Sequence, residues 1–195
     1  YPALRLNTDY ELSKNHSIGV MARLNMVENN GTFSSDSYLR HSQNQYIQSR
    51  NRTQESGKGG TFNLHYAGKL DSLGTTLSAD LDYVNISNNN FAWINNLSQF
   101  AGNSGFDERE QLESDNPVAY SIYSAKVDFG KTIGKTKMEM GAKASYVKSD
   151  NELQFFELQD GRRITDPKRS NHFIYEENIF AAYANASAPI GKNLT

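Results

Sequence analysis

Any chemistry this chain performs must come from a small set of titratable side chains. Asp80 and Asp82 stand two residues apart. On a strand they share one face at about 7 Å. Carboxylates at that spacing can divide acid and base work, and a barrel enzyme built on them would need His65 to converge with both in one pocket. The four histidines, His16, His41, His65 and His172, make no zinc spacing. Cysteine is absent, which excludes a thiolate metal site and a disulfide framework. No catalytic residue, metal or cofactor is expected. The simpler reading of Asp80 and Asp82 is one wetted face, shared with Arg5, Asp9, Arg23, His65, Lys126, Asp128, Glu139 and Lys143. Charges of both signs suit cross-strand pairing on such a face.

The elements that would carry these side chains are strands. Leu4, Leu6, Thr8, Tyr10 and Leu12 alternate with Arg5, Asn7, Asp9 and Glu11, and Ile18 to Met26 repeat the pattern. So do Phe62-Leu64-Tyr66, Leu77-Ala79-Leu81-Tyr83, Tyr123-Ala125-Val127-Phe129 and Met138-Met140-Ala142-Ala144-Tyr146, with Ile179-Ala181-Tyr183 as a weaker last member. A period of two gives each strand one apolar and one polar face. No segment of similar length shows helical spacing.

Short polar or glycine-bearing turns sit near 13–16, 71–74, 131–135 and 189–193, so they recur every 58 to 60 residues. Between them lie Asn-, Ser- and Gly-rich stretches near 28–58, 87–117 and 149–172, expected as long loops. The first of these, around Tyr38 to Gln48, has some alternation of its own and is compatible with strands running beyond a membrane. Tight turns at one end and long connections at the other are the layout of an outer-membrane barrel. From Gly74 to Tyr83 is nine residues, which covers about 23 Å of membrane normal at the usual tilt. Tyr10, Tyr66, Phe129 and Tyr183 near the short turns, with Tyr83 and Tyr146 at the far end, would form two interface girdles.

Bulk properties agree with this layout. The chain has 195 residues, 37% of them hydrophobic, a mean hydropathy of −0.69 and a net charge of −2. No apolar run approaches the roughly 20 residues of a membrane helix. A barrel tolerates such values, because only alternate residues meet lipid. The mixed charge gives no reason to expect a nucleic-acid partner. The ends, Tyr1-Pro2-Ala3-Leu4 and Pro189 to Thr195, read as cuts through a larger protein.

Gly60 to Tyr66, the turn from Asp71 to Gly74, Leu77 to Tyr83, and Asn171 to Tyr183 together resemble one family. It is the outer-membrane β-barrel proteins related to TonB-dependent receptors. The likeness is one of pattern and covers most of the chain. It implies a barrel of about 22 strands around an N-terminal plug, with uptake of a scarce ligand driven by the TonB complex. The plug and its TonB-contacting segment are not in this sequence.

The expectation is therefore an all-β, antiparallel up-and-down meander, residues 1–195, forming about seven strands of a transmembrane barrel. Its partners would be outer-membrane lipid of a Gram-negative bacterium, the TonB complex through the missing plug, and a siderophore, cobalamin or glycan. Phe91 and Trp93, placed in the second long loop, are the candidate ligand contacts, since loop aromatics stack on rings and sugars. Arg5, Asp9, Arg23, His65, Asp80, Asp82, Lys126 and Asp128 would face the lumen. The rival is a soluble β-sandwich or adhesin-like binding module, whose apolar faces would close on a second sheet.

Overall fold

Period-two patterning gives one sheet in the computed structural model, which describes residues 2–39 and 44–188. Its strands are β1 (Ala3–Ser13), β2 (His16–Leu39), β3 (Gln45–Lys69), β4 (Thr76–Phe100), β5 (Glu108–Ile133), β6 (Thr136–Gln159), β7 (Arg162–Thr165) and β8 (Asn171–Ser187). Each is antiparallel to its neighbour, in the order β1 to β7, with β8 also paired to β6. Where about seven strands were expected there are eight. The extra one, β7, covers four residues at the far end of β6, and β8 takes the rest of that edge.

Three of the four expected turns are tight connections between neighbouring strands. Lys14 and Asn15 join β1 to β2, residues 70–75 join β3 to β4, and Gly134 with Lys135 joins β5 to β6. Gly134 and Gly74 have φ of 61° and 88°, a region that glycine enters without steric cost. Asp71 organises its own turn. Its carboxylate accepts from the Thr75 hydroxyl at 2.6 Å and from the Thr75 and Leu73 amides at 2.9 Å. Those bonds, the Thr75 hydroxyl first, hold the Asp71 carboxyl below its ordinary value. The fourth turn, near 189–193, lies outside the described residues.

The long loops are corrected. Residues 28–58, 87–117 and 149–172 are mostly strand. β2 to β6 run 24 to 26 residues each, about 80 Å along the chain, where 9–11 residues suffice to cross a bilayer. The β2–β3 ladder is unbroken from His16↔Gly68 to Leu39↔Gln45. The β1–β2 ladder shifts register between Glu11 and Ser13, and the β5–β6 ladder has a gap between the pairs Asp115↔Gln154 and Val118↔Asn151. Pro117 sits there and has no N–H to give.

The sheet is a single layer. Among the described residues the one buried apolar side chain is Leu112, at 6% exposure, while Leu81 is 54% and Phe180 79% exposed. The apolar faces do not close on a second sheet, so the sandwich alternative is not the fold. Among the described residues no helix is long and apolar enough to cross a membrane, which is silent on crossing by strands.

Candidate functional site

Register sorts the side chains into two faces, named here by Leu81 and by its neighbour Asp80. On the Leu81 face one cross-strand row reads Thr8, Val20, Leu64, Leu81, Ala125, Ala144 and Phe180. The next row toward the tight turns is Tyr10, Ile18, Tyr66, Ala79, Val127, Ala142 and Ala182. Neither row contains Asp, Glu, Lys or Arg. On the other side of the Leu81 row lies Leu6, Ala22, Phe62, Tyr83, Tyr123, Tyr146 and Asn178. Its four aromatic rings form a continuous line, with centroid separations of 6.3, 4.8 and 6.3 Å. One row further the same face turns polar. Asn85 donates to Ser121 at 3.0 Å, and Lys148 pairs with Glu176 at 3.2 Å. An uncharged band edged by aromatics is the surface that lipid demands.

One strand departs from the expected faces. Ile179, Ala181 and Tyr183 pair with Ser145, Lys143 and Gly141, which places them on the Asp80 face. Phe180, Ala182 and Ala184 occupy the apolar face instead. This part of β8 is apolar on both parities, so alternation alone cannot choose; pairing with β6 does. Tyr183 therefore belongs to no girdle.

Arg5, Asp9, Arg23, His65, Asp80, Asp82, Lys126 and Asp128 all lie on the Asp80 face. Several are bonded to one another. His65 Nε2 meets Asp9 Oδ1 at 2.7 Å, and its Nδ1 meets Asn63 Oδ1 at 2.9 Å. Asn63 Nδ2 donates to Asp82 at 2.8 Å and to Asp80 at 3.4 Å. Lys126 pairs with Asp128 at 2.6 Å, and the Tyr183 hydroxyl donates to Asp128 at 2.8 Å. Asp80, Asp82 and His65 thus meet through Asn63. Each His65 ring nitrogen lies within hydrogen-bond distance of an oxygen, Asp9 Oδ1 on one side and Asn63 Oδ1 on the other. Arg5 and Arg23 pair two rows away and are not bonded into this network.

Two glycines that no sequence pattern marks make the network possible. Gly19 lies between Asp9 and His65, and a Cβ there would collide with both side chains. Gly141 lies likewise between Asp128 and Tyr183. Each hydrogen bond spans a whole strand by passing over a residue without a side chain. Only the register, which aligns three strands, identifies such positions.

Above the aromatic row the Asp80 face changes character. Val84, Ile122 and Val147 are directly paired there, followed by Ile86 opposite Tyr120, Ser149 opposite Tyr175, and Val118 opposite Asn151 and Phe173. Phe91 and Trp93, expected in a loop, stand on β4, with rings 4.5 Å apart on the Leu81 face. Among the described residues no group of three or more His, Asp or Glu side chains is arranged to hold a metal ion.

A family model described as the outer membrane protein beta-barrel family matches residues 68–195. No curated protein matches the chain. The uncharged band, the aromatic edge and the meander of long strands agree with that match over most of the sheet. The chain belongs to the outer membrane protein beta-barrel family, and its place is the bacterial outer membrane.

Proposed function

We propose that the chain is a wall segment of a TonB-dependent receptor that takes up a scarce ligand across the outer membrane. The observation that supports this reading is the surface above the aromatic row on the Asp80 face. With the apolar band turned to lipid, that face lines the barrel interior. Val84, Ile86, Val118, Tyr120, Ile122, Val147, Phe173 and Tyr175 then give the part of the outer vestibule built by β4, β5, β6 and β8 an apolar and aromatic wall, with Arg5 and Arg23 on β1 and β2 beside it. A simple water-filled pore needs a polar lining along its length. A receptor that holds a bulky ligand above the membrane needs apolar contact area with a few polar groups. The ligand classes that suit such a wall are a siderophore, cobalamin or a glycan. Energy would come from the TonB complex through a plug domain.

The reading includes no catalytic step. His65 has both nitrogens occupied, and the carboxylates beside it are tied to Asn63 and Lys126 neighbours on an open wall. Its test is uptake by cells with and without the full-length protein, using labelled ferric siderophore, cobalamin and oligosaccharide in turn. The expected result is accumulation of one of them that needs both this protein and an active TonB complex. Passage of all three without TonB would mark an ungated pore and end the receptor reading.

A further inference from the structure

Ten residues above the aromatic row, the Leu81 face carries a second cluster of different composition. Arg52 pairs with Trp93, Trp93 with Glu113, and Glu113 with Phe156, so the four stand in one row. They lie ten positions along their strands from Phe62, Tyr83, Tyr123 and Tyr146. An even spacing keeps them on the lipid-facing side. Ten residues amount to about 33 Å of strand, or about 25 Å along the membrane normal at the usual tilt.

The contacts within this cluster are specific. The Arg52 guanidinium is 5.5 Å from the Trp93 ring centre, and Phe91 packs 4.5 Å from Trp93. Arg163 lies 3.6 Å over Phe156 and 5.8 Å from Phe91, with its Nε donating to Glu113 at 2.9 Å. Beside Phe91 are two buried acceptors with no hydrogen-bond partner, Asn89 Oδ1 and Asp115 Oδ1. Asp115 is the direct cross-strand partner of Phe91. Aromatic rings and guanidinium groups are a combination suited to phosphorylated sugars: ring C–H groups stack on aromatics, and arginine binds phosphate.

The face decides which sugars. It continues the lipid-contacting surface upward, so these residues point away from anything in the lumen. What stands against the outer wall at that height is the saccharide part of the outer-leaflet glycolipid. Lower on the same face the exposed Lys58 is four residues above Phe62, level with the glycolipid headgroups. We propose that Arg52, Phe91, Trp93 and Arg163 form an outward platform that binds the core sugars of lipopolysaccharide around the barrel. The proposal rests on the membrane placement of the sheet and is independent of the uptake reading.

The test uses the full-length protein purified in detergent, with its fold checked by heat-modifiable gel mobility. Native mass spectrometry would measure binding of three probes: lipopolysaccharide with a complete core, lipopolysaccharide cut back to lipid A and its first sugars, and free core oligosaccharide. In Phe91→Ala/Trp93→Ala, complete-core binding should fall by about tenfold, to the level of the truncated form, whose own binding stays unchanged. Arg52→Gln changes one exposed side chain and should give a smaller loss of the same kind, so it decides the matter if the double variant misfolds. Unchanged complete-core binding in both variants would overturn the proposal. So would an equal loss for the truncated form, which has no sugars at this height. Free oligosaccharide bound as tightly as whole lipopolysaccharide would assign the platform to a soluble glycan and overturn the glycolipid assignment.

Discussion

Below the aromatic row the sheet is apolar outside and charged inside; above it the outside is polar, and the inside carries aliphatic and aromatic groups on β4, β5, β6 and β8, while Arg23 and Arg5 stay in the first of these rows on β2 and β1. The switch takes one residue on each of three strands: Tyr83 faces lipid and Val84 faces in, with Tyr123 against Ile122 and Tyr146 against Val147. The backbone does nothing different at this point, since the β4–β5 ladder continues from Thr76↔Gly130 to Ser98↔Glu108 without a shift. The solvent changes instead. Hydrocarbon forces every outward side chain to be apolar, and that demand ends at the aromatic edge. Above it neither face is dictated by lipid, and the composition of each is free to serve binding.

The contrast is broken most severely by one charge at the wrong level. Leu81→Arg, in the middle of the band, should cost about 2–4 kcal/mol in unfolding of the full-length barrel from lipid vesicles, and Ser87→Arg, six residues higher on the same face, about 0–1 kcal/mol. Equal costs at the two sites would remove the aromatic row as the membrane boundary. The assignment of β8 is tested in the same way. Phe180→Arg should lose about 2 kcal/mol and Ile179→Arg much less, because register sends Ile179 inward. Reversed costs would show that β8 pairs one residue out of step.

A weaker effect is expected inside the vestibule. Under the proposed uptake function, Ile122→Asp, in the middle of the paired row with Val84 and Val147, should reduce affinity for the ligand by about tenfold, read by calorimetry on the full-length protein. Its melting temperature should hardly move. The smallest effect concerns the Asp71 turn. Its carboxyl is held below the ordinary value near 3.8, so the stabilisation is present above that pH and is lost as pH falls through the lower folded value. Protection of the Thr75 amide against hydrogen exchange should therefore fall on acidification below about pH 4. In Asp71→Asn that fall should be absent, because the side chain no longer titrates.

Legibility of the fold followed the same boundary. At membrane level lipid writes a strict alternation into the chain, so Leu77 to Tyr83 and Tyr123 to Phe129 were readable as strands with assigned faces. Above the boundary, runs such as Asn88-Asn89-Asn90 and Asn95-Asn96 look like loop, because both faces are wetted and nothing enforces a period. Their pairing comes from neighbours whose ladders were already started. The polar face was legible residue by residue, from Arg5 to Asp128. Its bonding was not, since Asn63 gains its role only from pairing with β4, and Tyr183 only when three strands are aligned. Phe91 and Trp93 stand out by type, but the face they occupy depends on register.

The bonds that pass over Gly19 and Gly141 also have a mechanical consequence. Adjacent strands in a ladder can creep past each other two residues at a time and recover the same hydrogen-bond pattern. A tie from Asp9 to His65, or from Asp128 to Tyr183, couples strands that are not adjacent. Sliding either outer strand along its axis pulls the tie off its partner even where the backbone could re-pair. Each glycine thus acts as a slot through which three strands are pinned against shear, and the two slots lie in different sections of the wall.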